Sequence, residues 1–79
     1  MSFEFTEKQG QYLAFIYLYS KLNRRPPAEA DIEKYFRVAP PTVHQMIKKL
    51  DEKGLITRIP RQPRTIQVLV PSDKLPELK

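Results

Sequence analysis

Apolar residues recur at helical spacing near the start of this chain, between polar residues that can cap or end a helix. Thr6 and Gln9 have the spacing of a capping box, so a first helix is expected to begin after Thr6. This helix is expected to end near Asn23, because Arg25 precedes Pro26 and a residue before proline avoids helical angles. The three- and four-residue spacing of the apolar side chains predicts one face that packs into the core. That face comprises Tyr12, Phe15, Ile16, Tyr19 and Leu22.

Two further helical patterns follow. A short helix is expected at about Glu29 to Phe36, with acidic residues in its first turn that suit the helix dipole. A longer helix is expected at about Pro40 to Lys53, because a first turn tolerates proline and Gly54 is a usual terminator. Its apolar residues are spaced i, i+3, i+4 and i+7, which predicts a single core stripe. The stripe comprises Val43, Met46, Ile47 and Leu50.

Beyond the third helix the pattern becomes that of a hairpin. Leu55 to Ile59 alternates, residues 60–63 include two prolines of a turn, and Thr65 to Val70 is rich in β-branched residues. The predicted fold is mainly α with a small β-hairpin: a winged helix-turn-helix of three helices plus a wing, in residues 1–70. Residues 71–79 form a polar, proline-bounded tail that either frays or docks.

The net charge of +5 is concentrated in one segment. Residues 37–64 hold seven basic and two acidic residues, a difference of +5. Residues 1–36 hold five of each sign, and residues 65–79 hold two of each. Positive charge concentrated on one helix and one hairpin favours a surface that faces a polyanion. The alternative is an ordinary solvated surface.

Enzymatic chemistry finds little support in the sequence. The chain has no cysteine, a single histidine, no Gly-rich phosphate loop and no cluster of metal ligands, so we expect no enzyme, cofactor, metal or small-molecule ligand.

The N-terminal segment lacks the pattern of a secretory signal, and no apolar run approaches the ~20 residues of a membrane span. These features favour a cytoplasmic protein without membrane contact. A core built from 79 residues is small, so oligomerisation is one route to further stability.

In a helix-turn-helix, the second helix of the pair enters the major groove, and its early exposed residues reach the base edges. The third helix has this place here, and its Gln, Thr and His side chains are all able to contact bases. The candidate base-reading residues are Pro41, Thr42, His44 and Gln45.

The candidate phosphate-binding residues are Lys48 and Lys49 on the helix, and Arg58, Arg61 and Arg64 in the wing, which faces the backbone or the minor groove. If about four to six cations neutralise phosphates, log K falls against log[salt] with a slope of roughly −4 to −5.

Four motifs together resemble one known family. They are the T-x-x-Q helix start at Thr6, the R-P-P connector before the second helix, the block TVHQMIKKLDEKGLI and the wing strand PRTIQVL. Over about residues 4–70 the chain is similar to the N-terminal DNA-binding domain of the LexA repressor family. The resemblance implies a winged-helix repressor that binds double-stranded DNA at a palindromic operator as a homodimer. It also implies base reading by the start of the third helix, here Ala39, Pro41, Thr42, His44 and Gln45.

The chain departs from this family in two respects. The third helix begins with Ala39, Pro40 and Pro41, where family members usually carry pairs with serine; Pro41 supplies no donor, so the operator is expected to differ from the family's usual one. The family's C-terminal half is a self-cleaving Ser-Lys peptidase, and this sequence has neither that catalytic unit nor an Ala-Gly cleavage site. No peptidase function or response to DNA damage is carried over. Both a stand-alone regulator and an excised domain fit the sequence, and we favour the former.

The first helix also suggests an interface. Tyr17 and Leu18 lie off its core stripe, and exposed apolar groups on a small domain often mark a contact surface. Together with Phe3 they form a hypothesised homodimer contact. The alternative is half-buried packing under the wing or the tail.

Two other functions stay open. The main alternative to DNA binding is a winged-helix protein–protein interaction module in a larger assembly, a use for which the third helix and wing need not be basic. RNA binding is the weaker alternative, because the sequence has no exposed aromatic sheet and no RNP-like motif.

Overall fold

Three helices and a short antiparallel hairpin form the part of the chain that the computed structural model describes, residues 3–79. This architecture confirms the predicted winged helix-turn-helix, and each helix lies within one or two residues of its expected bounds. In chain order the elements are α1 (Glu7–Asn23), α2 (Glu29–Phe36), α3 (Pro40–Glu52), β1 (Ile56–Thr57), β2 (Gln67–Val68) and a 3₁₀ turn (Ser72–Lys74).

The helix starts are held by short-range hydrogen bonds. The Thr6 hydroxyl accepts from the Gln9 amide at 3.1 Å, and Gln9 Oε1 accepts from the Thr6 amide at 2.9 Å, which confirms the predicted capping box. Ala28 has no hydroxyl with which to cap α2, and its own amide instead donates to the Asp31 carboxylate at 2.9 Å. Lys53 Nζ also donates to Gln9 Oε1 at 2.9 Å, so the end of α3 is tied to the start of α1.

Helix α1 is covered on more than one side. Tyr12, Phe15 and Ile16 are buried as predicted, and Tyr19 is half-buried. The prediction is wrong for Leu22, which lies in the last turn and is 80% exposed because no neighbouring element reaches it. The spacing rule also missed two buried residues, because it assumes a single apolar stripe while α1 contacts α2, β2 and the tail. The missed residues are Leu13 and Ala14.

The core joins α1 to both helices of the helix-turn-helix. Val43, Ile47 and Leu50 are fully buried, and Met46 packs beside them half-buried, so the predicted stripe of α3 is confirmed. Aromatic rings connect α1 to α2: the Tyr12 and Phe36 rings stack with centroids 4.3 Å apart, and the Phe15 and Tyr35 rings stack at 4.5 Å. This packing fixes α2, and α3 is packed in turn against α2.

The hairpin is shorter than its sequence pattern suggests. Its ladder pairs Ile56 with Val68 and Thr57 with Gln67, so each strand has two residues. Beyond the ladder, the prolines of the turn and two left-handed arginines carry the chain out of strand geometry. In the turn, a side chain replaces a backbone partner: the Thr65 hydroxyl accepts a hydrogen bond from the Ile59 amide at 2.9 Å. Side-chain hydrogen bonds therefore supplement the short backbone pairing of the wing.

The C-terminal tail docks on α1. The Gln11 side chain donates to the Glu77 carbonyl at 2.8 Å and accepts from the Lys79 amide at 2.8 Å, so it pairs with extended backbone. Leu75 and Leu78 are half-buried against the core. A Cβ at Gly10 would lie 2.9 Å from the Phe5 ring and 3.0 Å from Pro76 Cγ, so a residue without a side chain is needed at this contact. Of the two outcomes considered for the tail, the structure shows docking.

Candidate nucleic-acid interface

The start of α3 presents an exposed surface opposite its core stripe. Ala39 is the N-cap residue, and Pro40 occupies the first helical turn, where its missing amide has no intrahelical partner to lose. The turn that leads into α3 contains Arg37 in a left-handed conformation, φ 55°. All five predicted base-reading residues are exposed and lie together on this surface; they are Ala39, Pro41, Thr42, His44 and Gln45.

Three of the five predicted phosphate-binding cations are free to meet an anion. Lys48 and Lys49 are exposed on α3, and Arg61 is exposed in the turn of the wing. Within residues 3–79, none of these three has a carboxylate oxygen within 4.0 Å of its charged nitrogens.

The other two wing arginines are paired with carboxylates. Arg58 Nε lies 3.2 Å from Asp51 Oδ2 at the end of α3, and the Arg58 side chain is only 20% exposed. Arg64 Nη1 lies 3.1 Å from Asp31 Oδ2 on α2. The hydrogen bond from the Ala28 amide, followed by the charge of Arg64, lowers the pKa of Asp31 below its usual value. Sequence reasoning missed both partners; the positions in each pair belong to different elements, and no local spacing rule joins them.

One carboxylate lies between the recognition helix and the wing. Glu29 Oε1, at the start of α2, is 3.6 Å from His44 Nδ1 on α3. Glu29 also lines a groove of about 300 Å³ together with Arg58, Arg61 and Gln62 of the wing. Both predicted DNA-contacting regions therefore border the same side chain, on one side of the molecule. Sequence reasoning missed Glu29 and treated it only as a residue that suits the helix dipole.

The predicted dimer residues are in three different environments. Phe3 is half-buried and packs against the core of its own chain. Tyr17 is half-buried, and Leu18 is 37% exposed. Tyr17 and Leu18 line a groove of about 370 Å³ whose other wall is the docked tail, with Leu75 and Leu78. The structure thus brings two of the three predicted residues together, next to the tail.

Two classes of site are absent from the described chain. No group of three or more His, Asp or Glu side chains in residues 3–79 is arranged to hold a metal ion. Among these same residues, no helix has the length and apolar character that crossing a membrane requires.

Several known proteins are similar in sequence to most of this chain. Residues 4–62 match the family model described as iron dependent repressor, N-terminal DNA binding domain. The LexA repressor of Thermosipho melanesiensis is 39% identical over 64 residues, which are 81% of this chain and 32% of that protein. The LexA repressor of Clostridium perfringens is 33% identical over 76 residues, 95% of this chain and 37% of that protein. The chain thus spans about a third of the length of these curated relatives.

The matched residues 4–62 contain all three helices and the first strand of the wing. The recognition helix and the first part of the wing, up to Gln62, therefore fall in the matched part; Arg64 and the return strand lie beyond it. The chain belongs to the family of iron-dependent-repressor N-terminal DNA-binding domains, and it is a LexA-like winged helix domain.

Proposed function

We propose that this chain is a sequence-specific regulator of transcription that binds double-stranded DNA with α3 in the major groove. The observation that carries the proposal is the exposed start of α3, together with three exposed cations, Lys48, Lys49 and Arg61, that have no carboxylate oxygen within 4.0 Å among residues 3–79. The wing lies along the backbone or over the minor groove. Repression is the proposed direction, because the similar curated proteins are named as repressors.

Base reading is assigned to the first two turns of α3. Gln45 pairs with an adenine through its amide, Thr42 contacts a base edge or a thymine methyl, and His44 donates to a guanine acceptor. Ala39 and Pro41 offer apolar surface alone, which suits a thymine methyl. The preferred operator therefore differs from one read by polar side chains at these two positions.

Phosphate binding is assigned first to Lys48, Lys49 and Arg61. Each phosphate neutralised on B-DNA contributes about −0.9 to the slope of log K against log[salt], so three contacts give a slope of about −3 per protomer. This is shallower than the slope of roughly −4 to −5 that follows if about four to six cations meet phosphates. The difference arises because Arg58 and Arg64 already face carboxylates.

Binding to random duplex DNA tests this proposal directly. At about 50 mM salt, non-specific phosphate contacts give measurable binding that weakens as salt rises. An absence of binding there would reject the proposal and favour the protein–protein interaction module. In vitro selection on a randomised duplex then tests specificity, and an enriched half-site is the expected result. A selection that enriches no sequence would leave only a non-specific DNA-binding protein.

A second copy of the chain is proposed as the partner of α1. Leu18 and Leu22 are exposed one turn apart, and Tyr17 borders the groove beside the tail. A self-complementary contact across this surface would place two recognition helices for a palindromic operator. Selection of a palindrome and a dimer in sedimentation are the expected results. A monomer at high micromolar concentration, both free and on the operator, would reject the homodimer without affecting DNA binding.

A further inference from the structure

Arg64 connects the wing to the rest of the domain. It lies in the turn with a left-handed backbone, φ 60°, and its side chain points back to the helices. Its Nη1 is 3.1 Å from Asp31 Oδ2 on α2, 3.2 Å from the Tyr19 hydroxyl on α1, and 3.4 Å from the Pro26 carbonyl in the connector. One nitrogen of the wing thus contacts three separate parts of the domain.

The acceptors of Arg64 are themselves fixed. Asp31 Oδ2 also accepts from the Ala28 amide at 2.9 Å, which holds it at the first turn of α2. Tyr19 belongs to the aromatic cluster, its ring 5.8 Å from that of Phe15. Because α2 packs against α3, a group bound to Asp31 is held in a defined position relative to the recognition helix.

The wing needs such a link. Its ladder has two residues per strand, and a two-stranded hairpin is marginally stable by itself. Arg61, the free cation of the turn, lies three positions before Arg64 and is exposed. The position of Arg61 relative to α3 therefore depends on the contacts that fix the wing to the helices.

We propose that Arg64 is a positioning residue: it clamps the wing to the helix-turn-helix so that Arg61 is presented to a DNA phosphate, and it is not itself a phosphate ligand. The proposal rests on the DNA-binding function proposed above. It removes one cation from the set that sequence reasoning assigned to phosphate. It also gives Asp31 a part in DNA binding, although Asp31 carries the same sign of charge as the ligand.

The first experiment needs no DNA. Amide hydrogen exchange is measured in the wild type, in Arg64→Ala and in the matched control Arg61→Ala. The Ile59 and Gln62 amides, which are bonded within the turn, should exchange at least about fivefold faster in Arg64→Ala only. Equal rates in all three proteins would overturn the clamp. Acceleration of every amide by the same factor, including those of α3, would also overturn it, since that pattern reports a global loss of stability.

The second experiment uses random duplex DNA and a double-variant cycle. A clamp predicts that Arg61→Ala, Arg64→Ala and the double variant weaken binding by similar factors and each reduce the magnitude of the salt slope by about one. Two direct phosphate contacts would instead give additive losses and a reduction of about two in the double variant, which would overturn the proposal. Wild-type protein that binds no DNA would reject the proposed function, while the exchange experiment would still test the clamp.

The variant Asp31→Asn distinguishes a clamping Arg64 from a phosphate-binding Arg64, because the two roles predict opposite changes in DNA affinity. Asparagine can still accept from the Ala28 amide, so the start of α2 is kept. If Arg64 clamps the wing, this variant binds DNA about twofold to fivefold more weakly than Glu33→Gln, which removes a negative charge from the same helix. If Arg64 is a phosphate ligand, freeing it strengthens binding, and that result would overturn the proposal.

Discussion

The recognition face of α3 and the wing both carry basic and polar residues, but the two regions differ in how many of these residues are paired with carboxylates. On α3 the candidate residues are exposed, and within the described part of the chain they have no ion-pair partner apart from His44, which lies 3.6 Å from Glu29. In the wing, Arg58 and Arg64 face carboxylates of α3 and α2, and Arg61 is the one wing arginine without a carboxylate partner among residues 3–79. A helix backbone satisfies its own polar groups, whereas a two-residue ladder leaves the wing to be held by side chains. A cationic side chain on a helix is therefore more often available to bind a ligand, whereas one in a short hairpin is more often used in contacts that hold the hairpin.

The largest expected effect comes from the base-reading face. Gln45→Ala should cost about 1–3 kcal/mol on the selected operator, because a bidentate contact to one base is lost. Binding to random duplex should change little. The measurement is the ratio of affinities for the two DNAs, with Lys48→Ala as the control that lowers both affinities together. Equal losses of affinity on both DNAs in Gln45→Ala would show that the reading face lies elsewhere.

The next effect contrasts two arginines of the wing. Arg61→Ala should reduce the magnitude of the salt slope by about one, because a free cation that meets a phosphate is removed. Arg58→Ala should change the slope by less, since Arg58 is 3.2 Å from Asp51 and mostly covered. Titrations of random duplex at several salt concentrations measure both slopes. Equal slope changes would mean that the Arg58–Asp51 pair opens when DNA binds, and the contrast between free and paired arginines would be lost.

A smaller effect is expected at the carboxylate between the two regions. Glu29→Gln keeps the shape of the side chain and removes a negative charge beside His44 and the wing groove. Binding to every sequence should tighten about twofold, which is the size of one charge interaction across water at several ångströms. Glu33→Gln, on the same helix, is the control for a change of net charge alone. Weaker binding in Glu29→Gln would indicate that Glu29 orients His44 for base reading.

Local patterns predicted the elements of this fold well. The capping box at Thr6, the stripe on α3 and the terminator Gly54, with φ 73°, all depend on neighbours within a few positions, and the structure has each of them. Leu22 was misplaced because its exposure depends on which elements reach the last turn of α1. A helical wheel contains no information about those neighbours.

The candidate site was predictable only in part, for the same reason. That the start of α3 is exposed follows from the position of its core stripe, so the base-reading surface could be located from the sequence. Whether a given arginine is free depends on residues far away in the chain: Arg64 meets Asp31, Tyr19 and Pro26. Counting charges in a segment identifies its sign, but it overestimates how many cations are free.

The smallest expected effect is the pH dependence of the ion pair that ties the wing to α2. The hydrogen bond from the Ala28 amide and the charge of Arg64 place the pKa of Asp31 below its ordinary 3.8. Folding therefore favours the carboxylate, so this stabilisation is fully present above pH 3.8 and is lost as pH falls through the folded-state pKa.

The measurement compares the unfolding free energies of wild type and Asp31→Asn between pH 6 and pH 2. The stability advantage of wild type should be constant above about pH 5 and should shrink below pH 3.8, by a small amount because the pair is partly exposed. In the Arg64→Ala background the pH dependence should be weaker but should persist, since the Ala28 amide is the larger cause. An identical pH profile in the two backgrounds would show that Arg64 and Asp31 are not coupled in solution. Of the three contacts of Arg64, only those to Tyr19 and Pro26 would then hold the wing, and Arg64 would differ less from the lysines of α3 than the structure indicates.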